Sequence, residues 1–474
     1  MTEKNIGIAR RAFLKHATEA VAAVPLAAVL GDIADAQSAK PARRSRAKTE
    51  APPPQPQLKL NVRDYGAVGD GKTKETQALQ LTIERCSVFG GGEVVLPAGD
   101  YLIGALAMRS NVLLRLEDGA TLNGSPDMTD YPVTEVRWEG RWIKGYSALI
   151  FANDAENIGI VGPGKIVGSP AVKGRVNRET RMRLPALLEF VNCKTVRVEN
   201  CYTENFGMWS IHPTYCQDVS FRKVTIKSGA DGIDVDSCRN VTIDGCDFDT
   251  TDDCISLKSG RGAEGYAILR PTEDVRISNC SFRDKVFACI GVGSETSGGI
   301  RDVHVDNCKC LGAGTFAIYI KSRPGRGAFI ENIYMNNLEV SGAKQGFLRL
   351  NILNSGLADE YLVPGDEGIP TVRNFEFRNI KVKDEPVLVD GTAIHPHKPL
   401  NGFVLENVTG TCGKGISLAN VTNARIGNVN VTGFQGPLLS IHNVTGKGLQ
   451  GAVQIDGPKV PDPIQAPAEP YKLH

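Results

Sequence analysis

From Val196 onward the chain returns to one short pattern: apolar, polar, apolar, polar, then asparagine or glycine, then an apolar residue or cysteine. It reads Val196-Arg-Val-Glu-Asn200-Cys201, Val219-Ser-Phe-Arg-Lys-Val224 and Val241-Thr-Ile-Asp-Gly245-Cys246. Three further copies are Val275-Arg-Ile-Ser-Asn279-Cys280, Val303-His-Val-Asp-Asn307-Cys308 and Ile333-Tyr-Met-Asn-Asn337-Leu338. Looser copies run from Phe375 to Ile380, Phe403 to Val408 and Ala424 to Val429. The copies start 23, 22, 34, 28, 30, 42, 28 and 21 residues apart. Alternation with a period of two predicts strands with one buried face. The asparagine that closes each copy suits a tight turn whose backbone is left-handed. A unit of about 22 residues holding three short strands is one coil of a parallel β-helix, an all-β solenoid. A leucine-rich horseshoe would show a leucine-dense consensus, and a propeller would need longer, more even repeats. Independent sandwich strands would not repeat asparagine and cysteine in register.

Ahead of the coils lies Asn61-Val-Arg-Asp-Tyr-Gly-Ala-Val-Gly-Asp-Gly-Lys-Thr73, then a helical stretch from Glu75 to Cys86 with Ala78, Leu79 and Ile83 on one face. A solenoid end exposes core and unpaired strand edges, so this helix is expected to be an N-terminal cap. The glycine-rich segment lacks the spacing of a phosphate-binding loop. Residues 1–36 read as an export signal: Arg10-Arg11-Ala12-Phe13-Leu14-Lys15, an apolar run from Ala20 to Leu30, and the small-x-small site Ala34-Asp35-Ala36. The apolar run is too short to span a bilayer as a helix. Residues 37–57 carry Lys40, Arg43, Arg44, Arg46 and Lys48 and then Pro52-Pro53-Pro54, the composition of a solvated linker. The β-helix is expected over 58–450 and a proline-rich surface tail over 451–474. The mature protein is expected in the periplasm or outside the cell, off the membrane and monomeric.

Composition adds little against this picture and removes some function classes. Glycine is abundant at 51 residues and aromatics are scarce at 6%, which suits many turns and small core side chains. The formal net charge of +1 gives no basic surplus for nucleic acid. Twelve cysteines in an exported chain suggest disulfides. Their recurrence at matched repeat positions argues instead for stacked, buried free thiols, and no spacing suggests a metal centre or a cofactor.

Aligning two successive coils by their inward residues sets Asp231-Gly-Ile233-Asp-Val235 against Asp253-Cys-Ile255-Ser-Leu257. Asp231 and Asp253 are thus equivalent positions one coil apart, about 4.8 Å in the stacking direction, with Asp252 beside them. Crowded carboxylates repel and raise at least one pKa, which supplies a glycosidase with one protonated acid and one ionised base. Asp234, Asp236, Ser256 and Lys258 occupy the outward positions of the same strands. A Ca²⁺ site or solvated turn aspartates would use the same residue types.

Ser228-Gly-Ala-Asp231-Gly-Ile-Asp234 and Thr251-Asp252-Asp253-Cys-Ile-Ser-Leu-Lys258-Ser-Gly260 resemble the two acidic motifs of glycoside hydrolase family 28, the polygalacturonases. Further matches are Trp209-Ser-Ile-His212-Pro213, Ile290-Gly-Val-Gly-Ser294-Glu295-Thr-Ser-Gly-Gly299 and Ile320-Lys321-Ser-Arg-Pro-Gly-Arg326-Gly327. The resemblance implies a right-handed parallel β-helix and inverting hydrolysis of pectic or related acidic polysaccharide. It implies Asp253 as general acid, with Asp231 and Asp252 holding and activating water, and Lys321 binding a sugar carboxylate. His212, Lys258, Glu295, Tyr319 and Arg323 join the candidate substrate-binding set. Two positions depart from the family pattern: Phe287 and Ala288 stand where it has a histidine, and Tyr319 stands where it has an arginine. That arginine would make a charge-assisted bond to a galacturonate carboxylate, so its loss points toward rhamnose-containing or decorated pectins. A Ca²⁺-dependent lyase and a non-catalytic glycan-binding solenoid are the competing readings. Trp138 and Trp142 are candidates either for sugar stacking or for loop packing. The 34- and 42-residue spacings are insertions that could wall off one end of a groove and favour exo action.

Overall fold

The computed structural model describes residues 58–465 and Tyr471. The expected export signal and linker lie outside the described residues. Three strands make one coil, as in Ile211–Thr214, Gln217–Arg222 and Thr225–Ser228. The next coil repeats them as Ile233–Asp236, Arg239–Asp244 and Asp247–Thr250, each paired in parallel with its predecessor. The repeat seen in the sequence is a physical column. Val196, Val219, Val241, Val275, Val303, Ile333, Phe375 and Phe403 are successive register partners, and all are buried.

The closing asparagines adopt the left-handed conformation the pattern predicts, with φ of 58° at Asn200, 56° at Asn279, 52° at Asn307 and 54° at Asn337. Their side-chain amides pass one hydrogen bond from coil to coil: Asn307 Nδ2 donates to Asn279 Oδ1 at 2.7 Å, and Asn407 Nδ2 to Asn379 Oδ1 at 3.0 Å. Asparagine therefore does two jobs here, tolerating positive φ and satisfying its neighbour. All 12 cysteines are buried and unpaired as disulfides. Cys193, Cys216 and Cys238 stack in register, with the Cys193 amide donating to Cys216 Sγ and the Cys216 amide to Cys238 Sγ. Burial pushes the Cys216 thiol well above its usual range, the setting of an inert core thiol.

Helix α1 (Thr76–Val88) buries Leu79, Ile83 and Cys86 against the first coil and caps its open end. In the glycine-rich segment before it, the Val68 and Gly69 amides donate to the buried Glu75 carboxylate at 2.6 and 2.7 Å. At the far end the strand Leu439–Lys447 pairs with Val453–Gln454, and the chain then runs without regular structure to Gln465. Among the described residues, no helix is long and apolar enough to cross a membrane.

Candidate active site

One sheet of the solenoid carries the site. Its strands Leu188–Val191, Ile211–Thr214, Ile233–Asp236, Ile255–Lys258, Ile290–Val292 and Phe316–Lys321 stack in parallel. Side chains alternate, so Ile233, Val235, Ile255 and Leu257 fill the core while their neighbours face outward. Register then dictates two outward columns. Glu189, His212, Asp234, Ser256, Gly291 and Tyr319 form one; Thr214, Asp236 and Lys258 belong to the other. Asp231 and Asp253 sit at the N-terminal shoulder of this sheet, linked by the hydrogen bond from the Gly232 amide to the Asp253 carbonyl at 3.0 Å. Gly291 is required beside them. A side chain there would meet Asp253 Oδ2 at 2.4 Å, so the absence of one lets the carboxylate lean over the next coil.

The three aspartates line a cavity of about 370 Å³ together with Arg175, Trp209, Lys258 and Lys321. Lys258 Nζ lies 2.5 Å from Asp234, 3.3 Å from Asp231 and 3.7 Å from Glu295, over the Trp209 ring at 3.8 Å. Lys321 Nζ lies 2.7 Å from Asp253 Oδ2, and Ser256 Oγ donates to that same oxygen at 3.2 Å. Asp253 Oδ1 is buried without a partner. Arg175 pairs with Asp252 and reaches within 3.8 Å of Asp231.

These neighbours divide the protons unequally. Burial, reinforced by Asp231 and Asp252, pushes Asp253 up to about 7 despite Lys321. Burial also works against ionisation of Asp231, but Lys258, a hydrogen bond from Asp234, Arg175 and Lys321 outweigh it and hold Asp231 below the usual carboxylate range. Asp234 is driven well above that range by burial and by Asp231, so this pair shares one proton and the charge resides on Asp231. The cleft thus holds an acid that retains its proton near neutrality and a base that has lost its own.

The hairpin of Val133–Trp138 and Arg141–Tyr146 lies across this sheet. Its base is fixed where the Tyr146 amide donates to the Arg183 carbonyl at 2.9 Å, and Arg183 in turn bridges Glu189 on the sheet and the Arg137 carbonyl. Trp138 packs against a buried cluster of Ala148, Ala186, Met208, Trp209 and Ala230, and Arg137 forms a buried 3.0 Å ion pair with Asp236. At the hairpin tip Glu139 meets Arg261 at 3.1 Å, and Asp359 joins Arg261 and Arg326 at 2.7 and 2.6 Å. The insertion holding Arg261 and helix α2 (Gly262–Ile268) and the insertion holding Asp359 are the 34- and 42-residue spacings of the sequence. They and the hairpin lock into one wall beside the cleft, and Glu139, Arg261, Arg326 and Leu357 of that wall line the cavity.

The candidate residues sort unevenly. Asp231, Asp252, Asp253, Lys258, Glu295 and Lys321 converge on the cavity. His212 does not, and its expected substrate contact is corrected. It is fully buried, with Nδ1 donating to Glu189 at 3.2 Å and Nε2 accepting from the Thr214 hydroxyl at 3.1 Å. Its edge meets the Trp209 ring, so it supports the cleft floor from below. Arg323 is not among the residues that line the cavity; it donates to the carbonyl of the cavity-lining Gly356 at 2.8 Å and so braces the rim. Tyr319 lies one step outside, stacked on the cavity-lining Phe287. Trp138 and Trp142 pack in the hairpin and do not line the cavity. Sequence reasoning missed Arg175, Glu139, Arg261 and Leu357, which come from irregular insertions where no repeat sets the register. Among the described residues, no three acidic, histidine or cysteine side chains converge to hold a metal ion.

Residues 86–352 match the sequence profile of Glycosyl hydrolases family 28. A Vitis vinifera protein described as a probable polygalacturonase is 29% identical over 365 residues, covering 73% of each chain. An exo-poly-alpha-D-galacturonosidase of Dickeya chrysanthemi is 25% identical over 61% of this chain and 56% of its own length. A solved hyperthermoactive exopolygalacturonase from Thermotoga maritima superposes with a TM-score of 0.71 at 27% identity, covering 80% of this chain and 93% of its own.

Proposed function

Because the chain belongs to glycosyl hydrolases family 28, and so is a glycoside hydrolase on a right-handed parallel β-helix, we propose that it removes residues from an end of pectic polysaccharide by single-displacement inversion. The observation that carries this reading is the placing of Asp253 and Asp231 in one walled cleft with unequal company, a single lysine beside buried Asp253 and Lys258 with Arg175 beside Asp231. Asp253 gives its proton to the glycosidic oxygen as the bond to the anomeric carbon breaks. Asp231 takes a proton from the water that attacks that carbon from the opposite face, and Asp252, set by Arg175, orients the water. Lys321 stabilises Asp253 once its proton has gone.

Exo action is inferred from the wall of hairpin and insertions, which crowds the cleft beside the aspartates and disfavours binding of the middle of a polymer. The relatives named for exo activity support this assignment. Export by the twin-arginine route rests on Arg10-Arg11 and fits an enzyme whose polymer lies outside the cytoplasm. A Ca²⁺-dependent lyase fits poorly, since Lys258, Lys321 and Arg175 already occupy the carboxyl oxygens such an ion would need.

Asp253→Asn tests the proton assignment. Hydrolysis of pectic oligosaccharide should fall by about 10³-fold. A substrate whose leaving group needs no proton, such as a glycosyl fluoride, should lose far less. Asp252 is the more exposed of the pair, and a leaving-group rescue specific to Asp252→Asn would transfer the acid role to it.

A further inference from the structure

Every cation lining the cavity is already paired. Arg175 holds Asp252, Lys258 holds Asp231 and Asp234, Lys321 holds Asp253, and Arg261 and Arg326 hold Asp359. A uronate carboxylate beside the cleaved bond would have to displace one of these contacts, that of Lys321 with Asp253 included. Beside these cations is an aromatic surface. Phe287 and Tyr319 stack with ring centroids 5.3 Å apart and planes 4° from parallel, and Phe316 meets Tyr319 edge-on. Lys321 Nζ lies 4.0 Å from the Phe287 centroid, so its charge is shared between that ring and Asp253.

This surface is held rigidly. The buried Asp284 carboxylate accepts the Phe287 amide at 2.5 Å and the Gly314 amide at 3.1 Å. Thr315 donates to the Phe287 carbonyl from both its amide and its hydroxyl at 2.7 Å. A side chain at Gly314 would strike the Val286 backbone at 2.2 Å, so the two coils close tightly around the turn. Val286, 58% exposed, extends the apolar surface outward. Phe287 and Tyr319 sit in the two coils after the one that carries Asp253, and Asp231 sits in the coil before it, so the surface flanks the general acid on the side away from the base, where the departing sugar lies.

We propose that Phe287 and Tyr319 form the subsite for the sugar on the leaving side of the cleaved bond, and that it selects an uncharged pyranose presenting an apolar face. A methyl-esterified uronate and a deoxyhexose share that chemistry, and a free uronate lacks it. Stacking on an aromatic plane rewards C–H faces and gives nothing to a carboxylate, whose desolvation beside Asp253 and Asp252 would be unfavourable. This rests on the hydrolytic reading above and narrows it to one subsite.

The test measures kcat/KM for the purified protein on three matched oligosaccharides: un-esterified, methyl-esterified, and alternating in deoxyhexose. At least one uncharged leaving-side substrate should exceed the un-esterified one by 10-fold or more, and which of the two does so identifies the source. Tyr319→Arg should erode that preference at least fivefold, mainly by lowering KM for the un-esterified substrate. Phe287→Leu, which keeps the pocket apolar but removes the flat face, should raise KM for the preferred substrate at least fivefold at an unchanged melting temperature. Equal or better cleavage of the un-esterified substrate, with Tyr319→Arg neutral, overturns the subsite and leaves hydrolysis standing. No cleavage of any of the three overturns both.

Discussion

Asp253 and Asp231 lie one coil apart, share the cation Lys321 as a neighbour, and nevertheless hold their protons differently. The difference is the immediate company. Asp253 has one lysine, one serine hydroxyl and an unpartnered oxygen, whereas Asp231 has Lys258, Arg175 and a protonated Asp234. The pH dependence of kcat/KM follows with a definite sign. Above about 7 the acid form of Asp253 is lost and activity should fall tenfold per pH unit. On the acid side activity should persist until Asp231 protonates, below the ordinary carboxylate range. Arg175→Gln removes a positive charge 3.8 Å from Asp231, so a pH–rate profile of that variant should show the acid limb moved upward and the alkaline limb little changed. An acid limb that stays in place would mean that Arg175 does not set the base. The spacing of the two acidic motifs brought these aspartates together from sequence alone. It could not say that the outward-facing His212 is covered by Trp209, because alternation along a strand gives the face and leaves open what else covers it.

At the scale of elements, the coils were legible in full, and the insertions only as long spacings without their contacts. Register propagates from one coil to the next, so one alternating pattern repeated at coil spacing specifies the sheet, the asparagine turns and the cysteine stack. The hairpin and the two insertions answer to no repeat; they are placed by ion pairs such as Arg137–Asp236 and Arg261–Asp359, whose partners lie 99 and 98 residues apart. Their contribution to the reaction is positional. Arg261→Ala leaves Glu139 and Asp359 short of a partner and loosens the wall, so chromatography of early products should change from one small product to a mixture of sizes. An unchanged product pattern would mean the wall does not enforce exo action. The asparagine turns should be costly to replace. Asn307→Ala keeps the left-handed φ of 52° but loses both tolerance for it and the 2.7 Å bond to Asn279, and should lower stability by about 1–2 kcal/mol in urea unfolding.

Across the whole molecule, the solenoid acts as a ruler. Its coil repeat sets the spacing of catalytic groups, its length gives a polymer a track, and its cap α1 protects the end where pairing begins. Two positions where the sequence departs from the family pattern, Phe287 and Tyr319, turn out to be stacked on each other, which no alignment of single motifs could reveal because they lie in successive coils. In the proposed reaction a protonated Asp253 and an ionised Asp231 drive single displacement by water. ¹H NMR of the first product formed from a defined pectic oligosaccharide, read before the anomers equilibrate, decides this most directly. The product should have the anomeric configuration opposite to that of the cleaved bond; a retained configuration, or an unsaturated product, would rule out single displacement by water.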